Sequence, residues 1–134
     1  MRQLNCIMLI DDNKIDNFFH ERVIRKNNAS SHVIAKESGR EALDYLMNCC
    51  SSVLPELIFL DINMPGMNGW EFISHYKNLD CKLQTSMIVV MIGTPDAPDD
   101  QAIAHTQGIL ADFKTKPLTK EMLEQVIDKL DCAK

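Results

Sequence analysis

No apolar run in this chain approaches the roughly 20 residues that a helix needs to cross a bilayer; the most strongly apolar stretch, Met87 to Ile92, is of strand length. Positive charge is in deficit, with 14 Lys and Arg against 19 Asp and Glu and a net charge of −5. The first absence argues against a membrane-spanning helix, and the second repels a phosphate backbone, so neither membrane nor nucleic acid is expected as a partner. The 5 cysteines are odd in number and show no CxxC pairing. They read as small thiols in a reducing cytosol, which makes the expected location cytoplasmic. The opening Met1-Arg2-Gln3-Leu4-Asn5 leads straight into a strand, so no cleavable signal is expected. Internal repeats and low-complexity segments are missing too. The histidines (His20, His32, His75, His105) are scattered without ligand spacing and read as surface residues.

What is present is an ordinary globular balance, 46% apolar and 25% charged, over 134 residues. That length fits one domain spanning 1–134, with no effector domain attached. The apolar pattern alternates between strands and helices. Cys6 to Ile10 is a first strand, and Asn13 caps a helix expected to bury Ile15, Phe18, Phe19, Val23 and Ile24. His32 to Lys36 is a second strand, and Ser38 with Glu41 forms a capping box before a helix with Ala42, Leu43, Leu46 and Met47 inside. Leu57 to Leu60 is a third strand. Asn68 and Glu71 repeat the capping box ahead of a helix burying Phe72, Ile73, Tyr76 and Leu79. After Met87 to Ile92 come a short helix near Asp96 to Asp99, a last strand at Phe113 to Thr115, and a helix capped by Thr119. Unbroken apolar strands alternating with helices imply a parallel sheet covered on both faces. The expected fold is α/β, a flavodoxin-like doubly wound (βα)5 with strand order 2-1-3-4-5.

In that order the first and third strands are neighbours at the switch point, where ligands sit beyond the carboxyl ends. Asp11 and Asp12 follow the first strand and Asp61 ends the third, so the three acids are expected to converge. Lys116, before Pro117, follows the last strand. Carboxylates about 4 Å apart repel by roughly 4 kcal/mol per pair at an effective dielectric near 20. A hard divalent cation, Mg²⁺ or Mn²⁺, supplies the counter-charge and suits a site of few carboxylates. A strand-end carboxylate beside a cation and a lysine is equipped to take up a phosphoryl group as an acyl phosphate. Taken alone, Asp11-Asp12 could equally be a solvated turn with a helix cap.

The run Asp61-x-x-Met64-Pro65-x-Met67-x-Gly69, the Asp11-Asp12 pair and Lys116-Pro117 together resemble the receiver domain of two-component response regulators, over essentially the whole chain. The resemblance implies that Asp61 is the phosphoacceptor and that Asp12 binds the metal directly. It implies that Asp11 acts on the metal through water, that Asn63 ligates through its backbone carbonyl, and that Lys116 contacts the phosphoryl oxygens. It implies a histidine kinase or phosphotransfer protein as donor, a downstream protein as recipient of the signal, and a switch rather than an enzyme. Receivers usually end the fourth strand with a hydroxyl residue; here the end reads Ile92-Gly93-Thr94. Thr94 is the expected switch hydroxyl, with Gly93 at the alternative position. The partner switch aromatic is Phe113, which has no phenol and would act through packing.

Three other readings compete. A receiver with weakened switching would bind partners constitutively, and the Gly93-Thr94 sequence is its motive. A haloacid-dehalogenase-like phosphatase also uses a strand-end Asp and Mg²⁺, but wants an acid two residues later, where this chain has Asn63. A flavodoxin would need a hydroxyl- and glycine-rich phosphate loop where Asp11-Asp12 stands.

Overall fold

Successive strand residues face opposite sides of a sheet, and in this protein both sides are apolar. The computed structural model describes residues 3–48, 54–62, 64–79, 87–92, 110–115 and 118–132, with backbone alone at 92, 110–115 and 131–132. The elements are β1 (Ile7–Ile10), α1 (Lys14–Lys26), β2 (Val33–Lys36), α2 (Gly39–Asn48), β3 (Leu57–Asp61), α3 (Gly69–Lys77), β4 (Met87–Ile92), β5 (Leu110–Thr115) and α4 (Lys120–Cys132). The strands form one sheet in the order β2-β1-β3-β4-β5, and each neighbouring pair is parallel. The expected flavodoxin-like order is the order found. The short helix expected near Asp96 to Asp99 lies outside the described residues.

Alternation divides the core cleanly. Ile7, Leu9, Leu57, Phe59, Val89 and Met91 pack on one side with Ile24 of α1 and Leu123, Val126 and Ile127 of α4. Met8, Ile10, Ile58, Leu60, Ile88 and Val90 pack on the other with Ala42 and Leu46 of α2 and Phe72, Ile73 and Tyr76 of α3. This explains why the strands read as unbroken apolar runs: each residue has a helix above or below it. No helix among the described residues is long and apolar enough to cross a membrane.

The helix starts follow the expected caps. Asn13 Oδ1 accepts from the backbone of Ile15 at 2.9 Å and of Asp16 at 3.3 Å. Asn68 and Glu71 close a complete capping box, and Thr119 Oγ1 accepts from Met122 N–H. At α2 the Ser38 hydroxyl accepts from Glu41 N–H as expected, while the Glu41 carboxylate reaches one residue further back, to Glu37 N–H at 3.1 Å. Asn28, past the end of α1, adopts φ of 51°, a left-handed turn that asparagine tolerates.

The buried face of α1 is only partly the one expected. Ile24 is buried and Val23 is half-buried against the core as expected, but Ile15, Phe18 and Phe19 are 63%, 63% and 51% exposed, and Asn17 and His20 are buried in their place. The reason is polar. The Asn17 amide donates to the carbonyls of Asp11 at 2.9 Å and Lys36 at 3.2 Å, where β1 and β2 end. Turning Asn17 inward brings in residues three and seven positions on and carries the neighbouring aromatics outward, where the Phe18 and Phe19 rings meet edge to face. His20 is therefore a core residue and not a surface one; His32 and His75 are exposed as expected. Met47 is also exposed, because Leu43 and Leu46 already fill the inward stripe of α2.

The different fates of Ile24 and Phe18 give a direct test. Ile24→Ala should lower the unfolding free energy in urea by about 2–5 kcal/mol. Phe18→Ser should change it by no more than about 0.5 kcal/mol. Losses of equal size would place Phe18 inside.

Candidate functional site

Parallel pairing brings the acids together. Ile10 of β1 is in register with Leu60 of β3, so the residues that follow them, Asp11 and Asp61, leave the sheet side by side. One carboxylate oxygen from each of Asp11, Asp12 and Asp61 lies within 4.8 Å of the others. Asp11 and Asp61 are buried, at 3% and 5% exposure, and Asp12 is exposed. Two acids thus form the floor and the third faces solvent, leaving an open side.

Asp11 is held at several points. Its N–H donates to the Lys36 carbonyl at 3.0 Å, the last rung between β1 and β2. One carboxylate oxygen accepts from Asn13 N–H at 2.9 Å. Its carbonyl accepts from the Asn17 amide, whose Oδ1 is buried with no hydrogen-bond partner among the described residues. Such an unsatisfied acceptor costs about 1–3 kcal/mol. Sequence reading passed over Asn17. The available signal was an asparagine inside a helix, where its side chain competes with the backbone and is unfavourable without a special task.

On the Asp61 side the chain folds back tightly. The Ile62 carbonyl accepts from both Met64 N–H at 3.2 Å and Gly69 N–H at 2.9 Å, and Gly66 takes φ of 79°. A Cβ on Gly69 would stand 2.8 Å from Ile62 Cα and 3.0 Å from the Asp61 carbonyl oxygen. Only glycine lets the first turn of α3 sit this close to the backbone that carries Asp61.

The donor set fits a hard cation. Three carboxylates, one of them open to water, match the oxygen ligands and retained waters of Mg²⁺ or Mn²⁺, and no soft ligand stands among them. Asn63, Lys116, Gly93 and Thr94 lie outside the described residues. Phe113 lies in β5, in register with Val90 of β4. Thr115 pairs with Ile92 at the end of that ladder, so Lys116 is the residue that follows the last β4–β5 rung.

A five-stranded parallel doubly wound sheet with acids gathered at its switch point defines a class of ligand-binding α/β domain. Comparison narrows the class. Residues 7–128 match the response regulator receiver domain, and the chain belongs to that family, the receiver module of two-component signalling. The crystal structure of a two-component response regulator from Cytophaga hutchinsonii superposes with a TM-score of 0.87 at 31% identity, covering 98% of this chain and 99% of that one. Protein PilH of Pseudomonas aeruginosa is 26% identical over 91% of this chain and 93% of its own length. Two-component response regulator 24 of Arabidopsis thaliana is 24% identical over 92% of this chain and 82% of its own.

Because the atoms nearest a Gly69 Cβ are backbone and cannot swing away, Gly69→Ala should destabilise the fold by about 1–3 kcal/mol in urea unfolding. A neutral substitution would mean that α3 does not depend on this close approach.

Proposed function

We propose that the chain works as a single receiver domain and accepts a phosphoryl group on Asp61 from a histidine kinase or a phosphotransfer protein. The reaction depends on Mg²⁺ or Mn²⁺. The observation that carries this reading is the approach of Asp11, Asp12 and Asp61 to within 4.8 Å at adjacent strand ends. Among the three, Asp61 is buried at the end of β3 with its carboxylate against the other two, and that is the place for a nucleophile held in one orientation. An oxygen of Asp61 forms the new bond to phosphorus as the bond from phosphorus to the donor atom breaks, and the electron pair leaves with the donor. A hard divalent cation, when bound by Asp11, Asp12, Asp61 and the Asn63 carbonyl, offsets the repulsion between the carboxylates and the incoming anion. Lys116 places a point charge against the phosphoryl oxygens. Rigid backbone supplies the rest, because little chemistry beyond positioning and electrostatics is needed.

The signal then leaves as phosphorylation-dependent protein binding, through the face that includes β5 and α4, with Thr94 and Phe113 as the switch residues. Membership in the receiver family weighs against the phosphatase and flavodoxin readings. The exposed Ile15, Phe18 and Phe19 stand on the helix that begins beside Asp12, which supports a protein rather than a small molecule as the physiological donor.

Asp61→Asn keeps the shape of the side chain and removes the nucleophile. Incubated with Mg²⁺ and labelled acetyl phosphate, the wild type should take up acid-labile phosphoryl label. The variant should take up none, with an unchanged circular dichroism spectrum. Wild-type labelling of Asp61→Asn would move the acceptor to another residue.

A further inference from the structure

We propose that Asn17 is a positioning residue for the acid cluster, and that its side-chain amide sets the affinity of the site for a divalent cation. The inference rests on the metal-dependent reading above. The carbonyl that Asn17 holds at 2.9 Å is the one in the peptide joining Asp11 to Asp12. The orientation of that peptide plane fixes where both carboxylates start. Asp11 is gripped on its N–H side by the Lys36 carbonyl at 3.0 Å, and the second Asn17 bond, at 3.2 Å, goes to that same carbonyl. One amide therefore ties the last β1–β2 rung, the Asp11–Asp12 peptide and α1 into a single unit. Asp12 has most to gain from this, because it is exposed and has less packing to hold it than the buried Asp11 and Asp61.

The composition of the bond matters as much as its place. Asn17 is buried, sits in the interior of α1, and carries an Oδ1 with no hydrogen-bond partner among the described residues. A helix gains nothing from an asparagine there, and an aliphatic side chain of similar volume would pack without an unsatisfied acceptor. What only the amide provides is a pair of N–H donors aimed at two strand-end carbonyls. Together with the Asn13 N–H on the Asp11 carboxylate, it makes the first turns of α1 a bracket around the acid pair. Outer hydrogen-bond partners of metal ligands commonly change affinity by about 10–100-fold when removed.

The test is isothermal titration of Mg²⁺ into wild type, Asn17→Ala, Asn17→Leu, Asp12→Ala and Ile24→Val, well below the melting temperature of each. Asn17→Leu keeps the volume filled in case Asn17→Ala does not fold, and Ile24→Val loosens the same helix face without touching the acids. The expected result is a Kd for Mg²⁺ raised about tenfold or more in the Asn17 variants, with Ile24→Val like wild type. With acetyl phosphate, the Mg²⁺ concentration for half-maximal labelling should rise in step. Wild-type Mg²⁺ affinity in Asn17 variants that merely melt earlier would overturn the inference and leave Asn17 a staple between α1 and the sheet. Failure of the wild type to bind Mg²⁺, or equal binding by Asp12→Ala, would overturn the metal site itself and this inference with it.

Discussion

Mutual repulsion of carboxylates is the constraint around which this fold is arranged. Asp11, Asp12 and Asp61 have oxygens within 4.8 Å of one another, a spacing at which each pair of charges repels by roughly 3–4 kcal/mol at an effective dielectric near 20. Side chains on a flexible loop would relax by moving apart. Here Asp11 and Asp61 cannot, because they stand at the ends of adjacent parallel strands whose register is locked by ladders on both sides. Those strands are held in turn by an apolar layer on each face of the sheet. The core thus opposes the repulsion, and the tension remains available to a cation or to an incoming phosphoryl group.

Each neighbouring element contributes to keeping that arrangement stiff. The start of α1 grips Asp11 through Asn13 and Asn17. The return of the chain after Asp61 is closed by paired bonds to the Ile62 carbonyl, and the Asn68–Glu71 cap fixes the start of α3 just beyond it. A capping residue of this kind contributes about 1 kcal/mol. Its larger consequence here is geometric, because Gly69 must sit against the Asp61 carbonyl. Preorganisation of this sort is what phosphoryl transfer demands, where placing and charge stabilisation do most of the work.

Much of this was legible in the chain itself. The strand order followed from alternation of apolar runs with capped helices, and the acids from their place directly after those runs. The caps at Asn13, Ser38, Asn68 and Thr119 needed only local spacing. What escaped was tertiary. The inward face of α1 was legible at Val23 and Ile24 but not at its first turns, because helical periodicity weighs Phe18 against Asn17 by hydrophobicity alone. The bond that decides the matter reaches Lys36, on another strand. His20 was misplaced for the same reason, since it follows Asn17 on the same stripe. The need for glycine at position 69 arises from contact with residues 61 and 62, which no local pattern reveals. Lys116, Asn63, Gly93 and Thr94 lie outside the described residues.

The central claim is that one carboxylate of the three, that of Asp61, carries the phosphoryl group. It can be read chemically without any mutation. The protein is treated with acetyl phosphate and Mg²⁺, the acyl phosphate is reduced with borohydride, and the digest is sequenced by mass spectrometry. Reduction converts a phosphorylated aspartate to homoserine and leaves free carboxylates untouched. The expected result is homoserine at position 61 alone, dependent on Mg²⁺. Homoserine at Asp11 or Asp12, or at none of the three under conditions that label the protein, would contradict it.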